Sequence, residues 1–390
     1  MSKVVDIRKA DDPRDVIHRA VQLLSQGDVV VLPTETLYVA CAQATCAEAV
    51  RRLVERAGAA DGDMPLLLIK AADEALDFVP EMNAAGRKLA RRGWPGPLVL
   101  EFAGDVGRGV GAALPAATRA AAGAALRFRA PAHDVPQAML RLLPAPLVAI
   151  GELDGDAPRD ARATGENAAR GARTAEQAAA RFGDAPALVI DDGPARYGEP
   201  STVVEIADGQ WRIARPGVLG ESAVRRLAGN LFLFVCTGNT CRSPMAEALF
   251  RKLLAERLEC TEAELFERGF TVASAGLSAA AGAPASPEAI ELVGRRGVDL
   301  NTHQSQSLTE ELLNQADRIF AMTRGHLQMM LELRPDVASR AELLSREQGD
   351  VPDPIGGSFA DYQACEREIE RHLRTIIDQL DLEGSPSEQP

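Results

Sequence analysis

In this 390-residue sequence, the clearest candidates for catalytic residues are a cysteine and an arginine six positions apart. Cys236 is followed by five residues and then by Arg242. A loop of that length can wrap a tetrahedral oxyanion with its backbone N–H groups, and the planar fork of an arginine can hold two of the oxygens. A cysteine thiolate beside such a site can attack phosphorus. The spacing therefore predicts a phosphate-binding loop with Cys236 as nucleophile and Arg242 as phosphate clamp.

The sequence on either side of this loop predicts a strand before it and a helix after it. The apolar run 231–235 is typical of a buried parallel strand, and Pro244 suits the first turn of a helix. The positive end of that helix favours an anion, so we expect a thiolate to be available at Cys236, with Ser243 donating a hydrogen bond to it. The alternative is a core cysteine followed by a solvated arginine at a helix start.

The residues inside the loop are expected to shape the phosphate site. Gly238 would allow a close backbone approach or a positive φ, and Asn239 would hold a strained backbone through side-chain hydrogen bonds. Cys241 could form a reversible disulfide with the nucleophile under oxidation, or it could be a small buried residue. The predicted substrate- or phosphate-binding residues are Thr237, Gly238, Asn239, Thr240, Cys241 and Ser243.

A second candidate for the chemistry is Asp353, because a leaving group needs a proton when its bond to phosphorus breaks. It lies within 350–357, a loop rich in proline and glycine that could hold a carboxylate at the mouth of a pocket. Asp-Pro pairs also occur as ordinary turns. We predict Asp353 as the general acid.

Composition narrows the possible classes of protein. The formal net charge of -13 argues against non-specific binding to nucleic acid or to acidic membranes, which requires a basic face. The sequence contains no apolar run of about 18 residues and no apolar leader segment, so we expect a cytoplasmic protein without a membrane span. The six cysteines include no CxxC pair and no Cys/His cluster at zinc spacing. We therefore expect a reduced protein with no metal and no other cofactor.

The length predicts two domains, both of the α/β class. We expect a first domain over 1–219, a linker over 220–230, a second domain over 231–382 and a disordered tail over 383–390. In the first domain we predict strands at 29–32, 65–69, 98–102, 125–129, 147–150, 187–190 and 202–206, with helices at 12–25, 47–56, 83–92, 136–143 and 175–182 and a loop at 151–174. In the second we predict strands at 231–235, 270–274 and 318–322, with helices at 245–257, 287–296, 310–314 and 362–380. This alternation predicts a doubly wound parallel sheet in the second domain.

Residues 232–380 resemble the low-molecular-weight protein-tyrosine phosphatase family. The matching segments occur in the family's order and are 235–247, 274–276, 303, 322–323 and 353–354. The resemblance implies a phosphocysteine intermediate on Cys236, with Arg242 and Asp353 in the roles already given, and His303 supporting the loop. It also implies that the partner is a phosphorylated protein or peptide and that no metal takes part.

The family contains both tyrosine phosphatases and bacterial protein-arginine phosphatases, and two positions favour the latter. Thr240 stands where tyrosine-specific members usually carry a larger aliphatic residue, and its hydroxyl can accept a hydrogen bond from a guanidinium N–H. The loop after Asp353 resembles that of the arginine phosphatases, with Ile355 in place of a phenylalanine. We therefore favour phosphoarginine over phosphotyrosine. Arsenate reductases share the fold but need additional cysteines, which 307–324 lacks.

Residues 4–219 resemble the threonylcarbamoyl-AMP synthase family, also called YrdC-like, whose twisted α/β fold binds ATP and threonine in a large cleft. The matching segments are 33–38, 65–66, 94–98, 129–131, 201–204 and 215–217. The resemblance implies a nucleotide or another small molecule as a possible ligand.

Three departures in that cleft predict a degenerate domain that binds a ligand or positions the phosphatase. The family's Lys-x-Arg unit is incomplete at 56–58, and Val39 replaces the usual glycine. The family's Ser-Ala-Asn segment is replaced near 150, which puts Glu152 close to the expected phosphate site, where a carboxylate would repel ATP. One alternative is a bifunctional protein that keeps the synthase activity of tRNA modification, or that binds RNA or nucleotide. The other is a module that captures phosphate groups without turnover.

Overall fold

The structure is a computed structural model that describes residues 3–57, 65–103, 109–123, 125–152, 171–207, 210–345 and 349–380. The chain divides into two compact units, Met1–Val224 and Arg225–Pro390. Both are of the α/β class, as predicted. The tail expected at 383–390 and most of the loop expected at 151–174 lie outside the described residues.

The N-terminal unit is built on one mixed sheet, in which the described part of the chain contributes ten strands in the order β1-β8-β2-β3-β7-β4-β6-β5-β9-β10. The strands are β1 Lys3–Asp6, β2 Val30–Leu32, β3 Val39–Gln43, β4 Leu66–Leu68, β5 Leu98–Ala103, β6 Ala125–Arg129, β7 Leu147–Ile150, β8 Leu188–Asp191, β9 Thr202–Ala207 and β10 Gln210–Arg215. The α-helices are α1 Pro13–Ser25, α2 Ala47–Ala57, α3 Ala72–Phe78, α4 Ala84–Gly93, α5 Ala116–Ala122, α6 Asp134–Leu142, α7 Ala175–Phe182 and α8 Glu221–Ala228. The central strands read as continuous apolar runs because both faces of the sheet are covered.

Three strands of this sheet were not predicted, and the segment expected as a linker contains α8. The missed strands β1 and β10 lie at the two edges of the sheet and are only partly buried, so their residues lack a long apolar run. The third, β3, is separated from the segment 33–36 by two residues, and no strand was assigned there from the sequence. The helix α8 occupies most of the range 220–230.

The C-terminal unit contains a parallel sheet in the order β12-β11-β13-β14. Its strands are β11 Asn230–Cys236, β12 Phe270–Gly276, β13 Arg318–Ala321 and β14 Ala341–Leu343. Its α-helices, in the described residues, are α9 Arg242–Arg257, α10 Pro287–Gly294, α11 Glu310–Gln315, α12 Arg324–Leu333 and α13 Phe359–Asp378. The short strand β14 and the helix α12 were not predicted, since β14 is a half-buried edge and α12 carries Gly325 in its first turn.

Alternate residues of β11 face two separate hydrophobic cores, so the sheet is covered on both sides. Phe232 and Phe234 pack in the core that includes α9 and α13, whereas Leu233 and Val235 pack in the core that includes residues of α11 and α12. The predicted doubly wound parallel sheet is therefore confirmed.

This topology determines where a ligand can bind. The strand β11 lies between β12 and β13 in the sheet. The chain passes from β11 to its neighbour β12 on one side and later forms β13 on the other side. In open parallel sheets such a switch point leaves a crevice at the carboxyl end of the strand. The last residue of β11 is Cys236, and α9 begins at Arg242. No helix in the described parts of the chain is both long and apolar enough to cross a membrane.

Candidate active site

The loop between β11 and α9 is held in a tight curve by its neighbours. Asn239 has a φ of 54°, in the left-handed region, and Leu277 N–H donates to Cys236 O at 3.0 Å. A Cβ atom at Gly276 would lie 2.5 Å from Thr237 O, so the end of β12 approaches the loop as closely as glycine alone allows. The long helix α9 starts directly behind the loop and directs its positive end towards it. This curve suits the binding of a tetrahedral anion.

The left-handed conformation falls on Asn239 and not on Gly238, which corrects one expectation. Gly238 does not have a positive φ. A Cβ atom at Gly238 would meet only Thr240 Oγ1, at 3.6 Å, an ordinary contact. Asparagine tolerates the left-handed region better than most residues, and here its side chain is fixed by hydrogen bonds. The expectation that Asn239 holds a strained backbone therefore agrees with the geometry.

Two hydrogen-bond donors reach the sulfur of Cys236, which is buried at 3% exposure. Asn239 N–H donates to Sγ at 3.2 Å, and the hydroxyl of Ser243 lies 3.0 Å from Sγ. Hydrogen bonds to an ionised group are about twice as strong as those between neutral groups. The arrangement therefore stabilises a thiolate more than a thiol.

A chain of hydrogen bonds behind the loop decides which way Ser243 points its proton. Ser274 Oγ donates to Glu247 Oε2 at 2.6 Å, so it must accept from Asn239 Nδ2, at 2.8 Å. Asn239 Nδ2 also donates to Ser243 Oγ at 2.9 Å, while Asn239 Oδ1 accepts from Gln306 N–H and so fixes the amide orientation. Since Ser243 accepts from the amide, its single proton is left for the sulfur.

Arg242 links the nucleophile's loop to the loop that carries Asp353. Its guanidinium is almost fully buried and donates from Nη2 to Asp353 Oδ2 at 2.5 Å and from Nη1 to Val351 O at 3.2 Å. Val351 N–H donates to Met322 O, which anchors this second loop at the end of β13. Asp353 is 42% exposed, so its carboxylate lies at the surface of the crevice. The predicted nucleophile, clamp and general acid are therefore connected at one end of the sheet.

The other predicted residues also lie at this site. His303 Nε2 lies 2.9 Å from Asn239 O, which places its imidazole against the back of the loop. Cys241 is buried and free, and its thiol lies 3.3 Å from Tyr362 Oη. Burial, and then the hydrogen bond with Cys241, raises the pKa of Tyr362 to about 12. Thr237 is exposed and Thr240 is half-buried.

Sequence reasoning missed three side chains of the site: Glu247, Tyr362 and His326. Glu247 stood inside the matched segment 235–247 without a role, although a carboxylate on the inner face of a helix is a signal that it has a polar partner. Nothing local in the sequence indicates Tyr362 or His326. His326 contacts Thr237 across 89 positions of sequence, and only the fold reveals that pair.

The N-terminal unit has its own buried polar cluster, formed by segments that the sequence matched separately. Arg129 is fully buried and lies between two carboxylates, with Nη2 at 2.7 Å from Glu35 Oε1 and Nη1 at 2.9 Å from Glu152 Oε2. Thr36 Oγ1 donates to Glu152 Oε2, and Ser201 N–H donates to Glu152 Oε1. We call Glu35, Arg129 and Glu152 the Arg129 triad. With one cation and two anions, its formal net charge is -1.

The pKa of Glu35 reflects the charge of Arg129 beside it. Burial would raise the pKa of Glu35, but the charge of Arg129 and hydrogen bonds from the backbone outweigh it, so the pKa lies below its ordinary value. Burial likewise opposes the charge of Arg129, and Glu152 and Glu35 together raise its pKa. The Nη1 atom of Arg129 thus has its ionic partner inside the protein, in Glu152. The stretch 58–64, which follows the incomplete basic pair, lies outside the described residues.

The first prediction concerns the hydroxyl of Ser243. Replacing Ser243 with alanine removes a donor that stabilises the thiolate, and hydrogen bonds to charged groups contribute about 1.5–3 kcal/mol. We expect Cys236 to react with iodoacetamide at least about tenfold more slowly at neutral pH, measured by mass spectrometry of the peptide that contains it. The matched control is Ser278→Ala, an exposed hydroxyl near the loop. Equal alkylation rates in the two variants would contradict the assigned hydrogen-bond direction.

The second prediction concerns the Arg129 triad. Arg129→Met leaves two buried carboxylates without a counter-charge and should lower the free energy of unfolding by about 3–5 kcal/mol. Glu152→Gln keeps a neutral Glu35–Arg129 pair but turns an amide N–H towards one of the donors from which Glu152 now accepts, so it should cost less than Arg129→Met. Tryptophan fluorescence reports this unit selectively, because both tryptophans of the chain, Trp94 and Trp211, lie in it. A larger loss for Glu152→Gln than for Arg129→Met would refute the arrangement.

The pKa of Glu35 also predicts how the free energy of unfolding of wild type and Arg129→Met changes with pH. In the wild type the lowered pKa of Glu35 means that its stabilisation is present above its ordinary pKa of 4.5 and is lost as the pH falls. In Arg129→Met the charge of Arg129 is lost and only the backbone hydrogen bonds still oppose burial, so the pKa of Glu35 should be higher than in the wild type, and protonation of this carboxyl should cost the variant less stability as the pH falls. The difference in unfolding free energy between wild type and variant should therefore shrink between about pH 7 and pH 4.

Comparison with known proteins assigns both halves of the chain. Residues 232–385 match the family described as low molecular weight phosphotyrosine protein phosphatase, and residues 22–217 match the Sua5/YciO/YrdC family, described as telomere recombination. A protein-arginine-phosphatase of Bacillus subtilis is 41% identical over 152 residues, which are 38% of this chain and 95% of the relative.

Tyrosine phosphatases are also among the similar proteins. A probable low molecular weight protein-tyrosine-phosphatase, EpsP of Ralstonia nicotianae, is 35% identical over 149 residues, which are 38% of this chain and 94% of the relative. The solved structure of the YwlE arginine phosphatase from Geobacillus stearothermophilus is 35% identical, with a TM-score of 0.34, and covers 40% of this chain and 94% of that chain. Both resemblances read from the sequence are thus confirmed: the chain belongs to the low-molecular-weight phosphotyrosine protein phosphatase family through its C-terminal part and to the Sua5/YciO/YrdC family through its N-terminal part.

Proposed function

We propose that this chain is a protein phosphatase that forms a phosphocysteine on Cys236 and prefers phosphoarginine to phosphotyrosine. The observation that carries the proposal is the pair of donors on the sulfur of Cys236, at 3.0 and 3.2 Å, beside the linked Arg242 and Asp353. A site that only captured phosphate would need the clamp and the loop, but not a nucleophile with donors directed at its sulfur.

In the first step the thiolate of Cys236 attacks phosphorus. A bond forms between sulfur and phosphorus, and the bond from phosphorus to the leaving nitrogen or oxygen breaks. Asp353, protonated for this step, transfers its proton to the leaving atom. Arg242 and the loop N–H groups hold the phosphoryl oxygens, whose charge is spread in the transition state.

In the second step water attacks the phosphocysteine. Asp353 now takes a proton from that water, the bond between sulfur and phosphorus breaks, and the electron pair returns to Cys236 as a thiolate. The products are orthophosphate and the starting enzyme with Asp353 protonated. The hydrogen bonds from Ser243 and Asn239 favour this step as well, because they stabilise the thiolate as it leaves.

Two features support phosphoarginine. Thr240 is half-buried, and among the described residues its hydroxyl has one hydrogen-bond contact, with Cys241 Sγ at 3.6 Å, so it is available to accept a hydrogen bond from a guanidinium. Ile355, beside the general acid, is 67% exposed and offers an aliphatic surface, not an aromatic ring, to the substrate. The similarity of the chain to a protein-arginine-phosphatase supports the same preference.

For the N-terminal part we propose a degenerate domain that does not hold the phosphates of ATP at Arg129. The guanidinium is fully buried and already paired with two carboxylates, and the triad has a net negative charge. This supports a role in binding another small molecule or in positioning the phosphatase. The tryptophan-reported unfolding tests it, because saturating ATP and threonine should leave the midpoint unchanged, and an upward shift would contradict the proposal.

The third prediction tests the phosphatase itself. The purified, reduced chain should hydrolyse a phosphoarginine peptide with a higher kcat/KM than a matched phosphotyrosine peptide. Cys236→Ser should abolish turnover of both, and Asp353→Asn should lower kcat by about a hundredfold or more because the leaving group loses its proton donor. Cys260→Ser, a cysteine outside the site, serves as the control and should keep full activity. Turnover that survives in Cys236→Ser would exclude the proposed mechanism.

The fourth prediction concerns specificity. Thr240→Ile removes the acceptor for the guanidinium and adds an aliphatic surface for a phenyl ring, so the ratio of kcat/KM values should move towards phosphotyrosine by about tenfold or more. Thr240→Ser keeps the hydroxyl and should keep the preference. If the ratio is the same in wild type and Thr240→Ile, Thr240 does not determine the substrate.

A further inference from the structure

His326 lies beside the phosphate-binding loop although it comes from a different element. It is the third residue of α12 and is 9% exposed. Its Nε2 lies 2.9 Å from Oγ1 of Thr237, the residue that directly follows the nucleophile. Because Thr237 is exposed to solvent, packing does little to hold its side chain. Among the described residues, the hydrogen bond to His326 is the contact that fixes it.

The helix that carries His326 is fixed to both loops of the site. Thr323 Oγ1 accepts from His326 N–H at 3.2 Å and caps α12. Arg324 N–H donates to Asp350 Oδ1 at 2.8 Å, which ties the start of α12 to the loop of the general acid. Through these contacts α12 can hold the loop of Cys236 and the loop of Asp353 in a fixed position relative to each other.

The surroundings favour a neutral imidazole. Burial, and then the positive charge of Arg242, lowers the pKa of His326, while Asp353 and Asp350 oppose this shift. Nδ1 is buried and has no hydrogen-bond partner among the described residues. A buried N–H without a partner is rarer than a lone pair without one, so the proton belongs on Nε2, which then donates to Thr237.

We propose that His326 is a positioning residue for the phosphate-binding loop, acting through its hydrogen bond to Thr237. It holds the first residue after the nucleophile so that the loop N–H groups converge on the phosphoryl oxygens. The inference rests on the proposed function, since it assigns His326 a part in the same site. His326 acts through Thr237 and takes no proton from the substrate.

The fifth prediction compares three replacements of His326. His326→Ala should raise KM and the inhibition constant for inorganic phosphate by about threefold to tenfold, the loss expected for one neutral hydrogen bond, with a smaller effect on kcat. His326→Gln places an amide nitrogen close to the position of Nε2 and should restore most of the affinity. His326→Asn is too short to reach Thr237 and should behave like alanine. The midpoint of thermal unfolding is measured for each, and rescue by glutamine alone separates positioning from a general loss of packing.

A double-mutant cycle with Thr237→Val provides the second readout. If the hydrogen bond carries the effect, Thr237→Val should weaken phosphate binding about as much as His326→Ala, and the double variant should be no weaker than either. Additive losses, or equal phosphate affinity in all variants, would overturn the proposal.

Titration of each variant with inorganic phosphate by calorimetry keeps the two proposals apart. A wild type that binds phosphate but hydrolyses neither phosphopeptide would contradict the proposed function, while the titrations would still decide the role of His326. A wild type that does not bind phosphate would contradict both.

Discussion

The repulsion between two anions is the constraint on which the C-terminal unit depends, because a thiolate and a phosphoryl group must meet within one short loop. The structure opposes this repulsion with positive and partly positive groups: Arg242, the start of α9 and the donors on Cys236 Sγ. All of them lie at the carboxyl end of the buried strand β11, where the switch point of the sheet leaves a crevice. The rest of the fold, including the two hydrophobic cores that cover β11, keeps that strand end in place.

The N-terminal unit uses charge in the opposite way. Its buried Arg129 would be a good clamp for an anion, but Glu35 and Glu152 compensate it inside the protein. A buried pair of this kind contributes little net stability compared with apolar packing, whereas breaking it is costly. In the degenerate domain that we propose, the same compensation would leave Arg129 without a free charge for a phosphate group.

The sequence predicted those parts of the structure that depend on neighbouring residues. The strand, loop and helix around Cys236 followed from an apolar run and Pro244, and the doubly wound sheet followed from the alternation of strands and helices. The half-exposed edge strands β10 and β14 were missed, because partial burial leaves a weak pattern. For Gly238 a close backbone approach or a positive φ was expected, but the positive φ lies at Asn239, since hydrogen bonds from other elements decide the conformation there. The contacts of His326 and Tyr362 join distant positions, so no local pattern could reveal them.

The hydrogen-bond chain from Glu247 through Ser274, Asn239 and Ser243 also limits how the protein can change over evolutionary time. Each hydroxyl has one proton to give: Glu247 decides the direction of Ser274, and Asn239, whose amide is oriented by Gln306, decides that of Ser243. Loss of Asn239 would free Ser243 to turn its proton away from the sulfur, and loss of Glu247 would free Ser274 to turn its proton towards Asn239. We expect these four positions to covary among related sequences, so that viable alternatives replace the set together and single exchanges are rare.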